Sequence, residues 1–591
     1  MTALVALAGA WSEEALDTMR NALAYRASHW DRRTLDGITA AGGSETSSSA
    51  DSPLLPFEGG DGFAVVDTPA WLRRRLPPPR ASTLSDSGNV AKWLANLTGD
   101  AHAVAVLPGR TLVAYRGPVS ARPMFYTTGP DGRLAIATRP DALTCLFPAK
   151  VDITGLAAYL IPQMCDPHGS PWRGVRRLPP GHVLVWRNGE TSRFPLAHLR
   201  AQDVTGADDE QLVGLFREAL FTAVERCSGV SDALLLSGGI DSSSLAGAYA
   251  ATGLYPVRAY GLTYTEALPA CDERVYARDV AVTTGLSFVE LPADGLLPLS
   301  APYPMGHEPE VWSYAGRNWA MLNHIAHSPA PPTTVIAGEG GDELLLGQVF
   351  AIADRIALGD ASGWQEIDAF PFPERVCSVI DHLLAGDYDT PRARLERALS
   401  EVPPWFTQEW MDEAAVLSDL IDGYPTLGEA GGMTAAYSRS LFTEAGAAGR
   451  AQCGGWWEDT GRRVGVEIAY PFFDPDLASL AWALPPHMFR RHGLEKVILR
   501  RALNGYLPAS VASRPDKAEA LTILNAGLQA NRNRLHDLGK DSPLIDLGVL
   551  DPVRFKAALD RYRGGELHHA PALWALHAVD EWLRTHERHL P

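Results

Sequence analysis

The alternation of apolar and polar positions from residue 205 onward predicts helices and strands that follow one another in turn. In residues 210–227 six apolar residues recur at helical spacing: Leu212, Leu215, Phe216, Ala219, Leu220 and Val224. Beyond them the pattern predicts strands at 233–236, 257–263 and 287–291 and helices at 242–251 and 272–284. Elements that alternate in this way form a parallel α/β sheet, and ligands bind at the carboxyl ends of its strands.

The first 200 residues follow a different pattern of short apolar runs separated by turn residues. The apolar residues 1–10 predict an initial strand. This run lacks the basic start of a signal peptide, so we do not expect one here. A stretch rich in Ser and Gly at 42–53 predicts a mobile loop, and strand character returns at 62–66. The polar residues 201–209 predict a linker. The sequence therefore predicts two domains, at residues 1–200 and 205–591.

Two apolar runs each lead into a glycine-rich turn that ends on a carboxylate. The first, LLLSGGIDSS, comprises residues 234–243, and the second, VIAGEGGDEL, comprises residues 335–344. A turn from a strand into a helix exposes backbone N–H groups at the positive end of the helix dipole, and glycine lets a phosphate approach the main chain. We therefore predict a nucleotide phosphate site, with Mg²⁺ held by Asp241 and Asp342.

The composition excludes several other classes of protein. With 591 residues, of which 46% are hydrophobic, the chain can bury more than one core. A net charge of −18 argues against nucleic acid or an anionic membrane as partner. No apolar run reaches the length of a membrane span. The six cysteines lack zinc-ligand or CxxC spacing, which favours reduced thiols and a cytoplasmic location.

The order of five short motifs resembles that of the asparagine synthetase B family. SGGIDS at 237–242 is followed by Asp272-Glu273, GEGGDE at 338–343, VEIAYPFFD at 466–474 and EKVILR at 495–500. The resemblance implies a parallel α/β domain of the PP-loop ATP pyrophosphatase type, which adenylates a carboxylate with ATP and passes it to an amine. The residues expected to contact ATP are Leu236, Ser237, Gly238, Gly239, Asp241, Ser242, Gly338 and Gly340.

The N-terminal part resembles the glutaminase of the same family, a sandwich domain of the N-terminal-nucleophile type. The shared elements are Arg116-Gly117, RPMFY at 122–126 and LAIAT at 134–138. In the family a cysteine exposed by removal of the initiator Met attacks glutamine, whereas this sequence begins Met1-Thr2 and has its first cysteine at Cys145. Thr2 is the alternative nucleophile. We expect an inactive glutaminase-like domain, with the attacking amine supplied by the substrate.

Two branches of the family form an amide within one molecule. The β-lactam synthetases close a ring in a small amino acid, whereas the lasso peptide cyclases join a peptide's N-terminal amine to an Asp or Glu side chain. Glu339 keeps the acid of asparagine synthetase where the β-lactam enzymes carry Tyr. The 132 residues from Asp342 to Asp474 leave room for a helical insertion and a bulky substrate. We therefore predict macrolactam formation, with β-lactam synthesis and ammonia-dependent asparagine synthesis as alternatives.

The insertion is rich in aromatic residues, which serve either as anchors for a peptide or as the core of the inserted helices. They are Trp364, Phe370, Phe372, Trp405, Phe406, Trp410 and Tyr424.

The resemblance also implies catalytic residues and partners. Lys517 matches a lysine near the acyl-adenylate, where a fixed positive charge stabilises the tetrahedral intermediate. Glu339 and Glu467 match acids near the reacting groups and are candidates for the general base. The implied partners are a precursor peptide, a leader-peptide recognition protein and a leader peptidase. A catalytically inactive scaffold that binds nucleotide or peptide is the alternative of another class, but the intact Asp241 and Asp342 argue against it.

Overall fold

The computed structural model of the chain describes residues 3–44, 52–120, 122–161, 168–196, 199–254, 258–264, 268–309, 312–370, 372–388, 390–413, 432–442, 457–515 and 520–591. Antiparallel sheets occupy the N-terminal part, and a parallel sheet with helices follows it. The predicted fold class, a sandwich domain followed by a parallel α/β domain, is thereby confirmed.

Twelve strands of the described chain build the N-terminal sandwich. They are β1 (Ala3–Ala8), β2 (His29–Leu35), β3 (Ile38–Ser44), β4 (Leu54–Pro56), β5 (Phe63–Asp67), β6 (His102–Leu107), β7 (Thr111–Arg116), β8 (Phe125–Thr128), β9 (Leu134–Ala137), β10 (Val175–Arg177), β11 (His182–Arg187) and β12 (Glu190–Pro195). One sheet has the order β10-β8-β9-β1-β3-β2 and the other β12-β11-β7-β6-β5-β4. The helices here are α1 (Ala15–Ala22), α2 (Ala70–Arg73), α3 (Ser87–Leu94), α4 (Asp141–Thr144) and α5 (Ala157–Leu160).

Strand β1 shows how the sandwich is filled. All of its residues are buried, and because side chains alternate along a strand, Leu4 and Ala6 pack between the sheets while Val5 and Leu7 face the helices. Residues 42–44, predicted as the start of a loop, instead complete β3. Gly42 is needed there, because a Cβ would lie 2.4 Å from Cγ of Pro53.

The second domain is built on five parallel strands. They are β13 (Asp232–Leu235), β14 (Arg258–Thr263), β15 (Phe288–Pro292), β16 (Thr334–Ile336) and β17 (Glu467–Ala469), in the order β15-β14-β13-β16-β17. The helices between them are α6 (Asp209–Cys227), α7 (Ile240–Thr252), α8 (Arg274–Thr284), α9 (Ala315–Ala326) and α10 (Gly341–Leu345). The side chain of Asp208 caps α6 and forms a capping box with Gln211. The alternating elements predicted for residues 210–291 are thus confirmed.

A helical insertion separates β16 from β17, as predicted. It contains α11 (Gln348–Ala357), α12 (Pro373–Ala385), α13 (Pro391–Glu401), α14 (Gln408–Glu413), α15 (Met433–Phe442) and α16 at residues 457–464. Trp405, Phe406 and Trp410 are buried in a core shared with C-terminal helices, so these three rings fill a core. Trp364 and Phe372 are exposed, whereas Tyr424 lies outside the described residues.

The remaining elements follow β17. They are α17 (Pro475–Ala481), β18 (Arg490–Arg491), β19 (Leu494–Glu495), α18 (Val497–Ala502), α19 (Ala509–Ala512), α20 (Ala520–Ala530), α21 (Arg532–Leu538), α22 (Pro543–Asp546), α23 (Pro552–Arg563) and α24 (Ala570–Thr585). Among the helices that the structure describes, none combines the length and the apolar character needed to cross a bilayer.

Buried ion pairs join the two domains. Arg26, which follows α1, hydrogen-bonds both Glu458 and Asp459 on α16, and its Nη1 lies 2.9 Å from Oδ1 of Asp459. These three side chains are each at least 93% buried. Because an unpaired charge at such a place is strongly unfavourable, the pairing fixes α16 against the sandwich.

Candidate functional site

The two glycine loops lie side by side because they follow neighbouring strands. Leu234 of β13 pairs in register with Ile336 of β16, and both strands run in the same direction. The loops therefore leave the sheet at the same edge. Asp241 lies in the first turn of α7 and Asp342 in the first turn of α10.

One lysine joins the two loops. Nζ of Lys496 lies 2.6 Å from Oδ1 of Asp241 and 2.6 Å from Oδ1 of Asp342. The Lys496 side chain is 4% exposed. Burial alone would lower its pKa, but the carboxylates of Asp241 and Asp342 hold that pKa above the ordinary value. The lysine is therefore a fixed cation at the meeting point of the predicted metal ligands.

The glycines leave space where side chains would collide. Gly238 has φ +88°, and a Cβ there would lie 2.9 Å from the backbone N of Ala277. A Cβ on Gly341 would lie 2.6 Å from Oδ1 of Asp241. In the first loop Oγ of Ser242 accepts a hydrogen bond from the backbone N–H of Ser237 at 3.2 Å, which holds the turn closed.

The remaining predicted nucleotide contacts lie in the same two loops. Leu236 is buried and donates its backbone N–H to the carbonyl of Tyr260 at 2.8 Å. Gly239 precedes the first turn of α7, and Gly340, with φ +94°, precedes α10. A Cβ on Gly338 would lie 3.2 Å from the backbone N of Ser242, so the loops approach each other closely.

Glu339 belongs to the second glycine loop and lies near a second cation, Arg317. Burial, helped by the nearby charges of Glu343 and Asp241, raises the pKa of its carboxyl group to about 7, against the lowering effects of a backbone hydrogen bond and of Arg317. Arg317, in the first turn of α9, donates from Nη1 to the hydroxyl of Tyr264 at 3.1 Å. Its guanidinium lies 4.3 Å from the ring centroid of Tyr314. Glu339 is therefore able to change its protonation state near neutral pH.

Arg500 is a third cation beside the loops. Burial lowers its pKa, and Asp241 acts against that shift. Its Nη1 donates to the carbonyls of Val511 at 3.0 Å and Ala512 at 2.9 Å. These carbonyl contacts hold the guanidinium in place on the side of Asp241.

One predicted catalytic residue, Glu467, is not part of this cluster. Glu467 is the first residue of β17 and pairs with Thr334, the first residue of β16, so it lies at the amino end of the sheet. Its side chain is 48% exposed and faces Arg462 at 3.5 Å. The structure therefore does not bring Glu467 together with the loops, which leave the opposite end of these strands. Lys517 lies outside the described residues.

Lys496 and Arg317 are site residues that the sequence analysis missed. Lys496 belongs to the EKVILR motif, which in the sequence shows only a family resemblance. The sequence signal for Lys496 is a charged residue inside a motif whose other residues are explained by their place in a helix. Arg317 is preceded by an aromatic and small-residue stretch, Trp312 to Gly316, without a motif of its own.

The residues present fit a nucleotide with a divalent cation. Within the described ranges no group of three or more His, Cys, Asp or Glu side chains is arranged to hold a metal. Two carboxylates plus phosphate oxygens are, however, the ligands that Mg²⁺ commonly uses. Asp241 and Asp342 would supply the two carboxylates, and the glycine turns offer backbone N–H groups to the phosphates.

A parallel α/β sheet with two acidic glycine turns at one edge defines a nucleotide-dependent enzyme of the α/β class. A family model for asparagine synthase matches residues 215–584, more than half of the chain. The chain therefore belongs to the asparagine synthase family, and the match supports ATP-dependent amide-bond formation as its general activity. A glutamine amidotransferase domain matches residues 89–196. A search among curated proteins gives no match.

Proposed function

We propose that this protein closes a macrolactam in a peptide. ATP adenylates the side-chain carboxylate of an Asp or Glu residue, and the peptide's N-terminal amine attacks it, with release of AMP and pyrophosphate. The observation that carries the ATP-dependent step is the meeting of Asp241, Asp342 and Lys496 between the two glycine loops. Adenylation is needed because an ionised carboxylate resists attack by an amine.

In this proposal each charged group has a separate task. Asp241 and Asp342 hold Mg²⁺, and the backbone of the loops binds the pyrophosphate end of ATP. Lys496 stabilises the negative charge that develops during the reaction, as a preorganised cation does. Arg317 orients the acceptor carboxylate, because it is a guanidinium close enough to Glu339 to lower the pKa of that residue.

Glu339 is the proposed general base. The α-amine of a peptide has a pKa of about 7.7–8.0, so only modest assistance is needed near neutral pH. A carboxyl group with a pKa of about 7 matches that task, since both protonation states are populated.

Three features support a peptide rather than a small amino acid as substrate. Glu339 keeps the acid found in asparagine synthetase. Among the described residues, the insertion between β16 and β17 contributes six helices to the domain. Trp364 and Phe372 of that insertion are exposed and available to contact a peptide. The precursor peptide, a leader-peptide recognition protein, a leader peptidase and a cytoplasmic location belong to the same proposal, as do the domain bounds 1–200 and 205–591.

The test compares three acceptors with the purified full chain, ATP and Mg²⁺. A linear peptide with a free N-terminus and an internal Asp or Glu should lose one water and release AMP in equal amount. A β-amino acid that can form a β-lactam, and aspartate with ammonium chloride, are the competing acceptors. Product from either of these, with none from the peptide, would replace the proposal by that alternative.

A further inference from the structure

Three residues that precede α9 reach from the synthetase domain into the sandwich. We call Gly306, His307 and Glu308 the strap. The indole N–H of Trp172 in the sandwich donates to the carbonyl of His307 at 2.6 Å. Trp582 of α24 donates to the carbonyl of Gly306 at 3.2 Å. The backbone of the strap is therefore held from two sides.

The carboxylate of Glu308 is held by three side chains of the sandwich. Tyr159 donates its hydroxyl to Oε1 at 2.7 Å, Arg177 hydrogen-bonds the same oxygen, and Arg139 faces Oε2 at 3.8 Å. The Glu308 side chain is 11% exposed. Burial would raise its pKa, yet Arg177 and Arg139 hold that pKa below the ordinary value, so the group stays ionised. All three partners belong to the N-terminal domain.

The strap is close to the start of α9 in sequence, and the segment that leads into the strap packs against α9. Gly316, the second residue of α9, packs against the segment that leads into the strap, because a Cβ there would lie 2.1 Å from the carbonyl oxygen of Ala301. The next residue is Arg317, whose side chain contacts Tyr264 and Tyr314. A displacement of the strap would therefore move the first turn of α9.

We propose that Arg177 is a positioning residue of the ligase site: by binding Glu308 it fixes the strap and, through it, the turn of α9 that carries Arg317. This inference rests on the proposed function for the role of Arg317. It gives the sandwich a task that needs no glutamine hydrolysis, because its ion pair with Glu308 orders a part of the synthetase domain.

Hydrogen exchange of the full chain tests the physical link without any substrate. Arg177→Gln should speed exchange in peptides covering residues 312–326 by about tenfold, since local order there depends on the strap. Arg75→Gln is the matched control, because Arg75 also crosses the domain boundary, to Asp476, but does not contact the strap. Tyr159→Phe is the milder variant should Arg177→Gln fail to fold. Unchanged exchange in a folded variant overturns the inference.

Kinetics test whether Arg177 acts through Arg317. With the peptide as acceptor, Arg177→Gln should lower kcat about tenfold and leave the KM for ATP within about twofold. The double variant Arg177→Gln, Arg317→Lys should be no slower than Arg317→Lys alone, because both changes affect one interaction. Losses that multiply would overturn the inference. A wild-type chain that makes no product from the peptide contradicts the proposed function, whereas the exchange result still decides the role of Arg177.

Discussion

The ammonium nitrogen of Lys496 lies 2.6 Å from Oδ1 of Asp342, although the two residues are 154 positions apart. Lys496 adopts a left-handed backbone conformation with φ +57°, at the residue before α18. Residues other than glycine rarely adopt this conformation, so the surrounding structure has to maintain it. The contact unites the two glycine loops around one charge.

Replacing Lys496 should remove most of the activity. Lys496→Met keeps the length of the side chain but removes the cation, so kcat for pyrophosphate release should fall by about 10²–10³. The exposed Lys540, changed in the same way, is the control. Steady-state release of pyrophosphate measures both variants, and a kcat within twofold of wild type for Lys496→Met would rule out the assigned role.

Product formation should depend on the ionisation of Glu339. Since its pKa is about 7, the basic form accumulates as pH rises, and kcat should increase between about pH 6 and 8. Glu339→Gln should abolish this rise and lower kcat by about 10²-fold. The check is a pH–rate profile of both proteins, and an unchanged profile in the variant would exclude Glu339 as the base.

Ionisation of Glu339, which should raise kcat, should lower the stability of the folded protein. The pKa of Glu339 rises from 4.5 to about 7 on folding, so its contribution is present below the unfolded pKa and is lost as pH rises through 7. At pH 8 Glu339→Gln should therefore be more stable than wild type by up to about 3 kcal/mol, with no such gain at pH 4. Urea unfolding at the two pH values measures the difference, and equal gains would contradict it.

Gly341 should tolerate no side chain. In Gly341→Ala the new Cβ meets the Asp241 carboxylate, so the KM for ATP should rise about tenfold through a misplaced ligand. Gly214→Ala is the matched control, because a Cβ at that position in α6 meets nothing within 4 Å. ATP titrations decide between them, and equal KM values in the two variants would show that the space beside Asp241 is not needed.

Arg26 should contribute strongly to stability. Arg26→Met leaves Glu458 and Asp459 with one counter-charge fewer at a buried boundary, which should lower the free energy of unfolding by about 3–5 kcal/mol. Arg20→Met, which removes a more exposed pair with Asp17, should cost less than about 1 kcal/mol. Urea titrations compare the two, and similar losses would show that burial does not set the difference.

The sequence predicted those parts of the site that depend on neighbouring residues. The strand, turn and helix around Asp241 are encoded within about ten residues, as are those around Asp342, and both loops lie as predicted. The two loops meet because β13 and β16 are parallel, and the alternating pattern implies this parallel order.

Contacts between residues far apart in the chain could not be predicted from the sequence. The contact of Lys496 with Asp241 joins residues 255 positions apart, and the direction of the side chain depends on a strained backbone. The position of Glu467 at the amino end of β17 could not be predicted, because a motif does not reveal at which end of a strand a residue lies. Its register with Thr334 decides that, and register is set by the assembled sheet.

The pairing of β16 with β17 affects how the polypeptide is made. Thr334 and Glu467 pair across more than a hundred intervening residues, and strand pairings of such long sequence separation tend to form slowly. Until then β16 is an edge strand with unsatisfied backbone groups, and such edges associate between molecules. Substitutions that destabilise the intervening helices should therefore reduce the yield of native protein through aggregation, even where they do not contact the candidate active site.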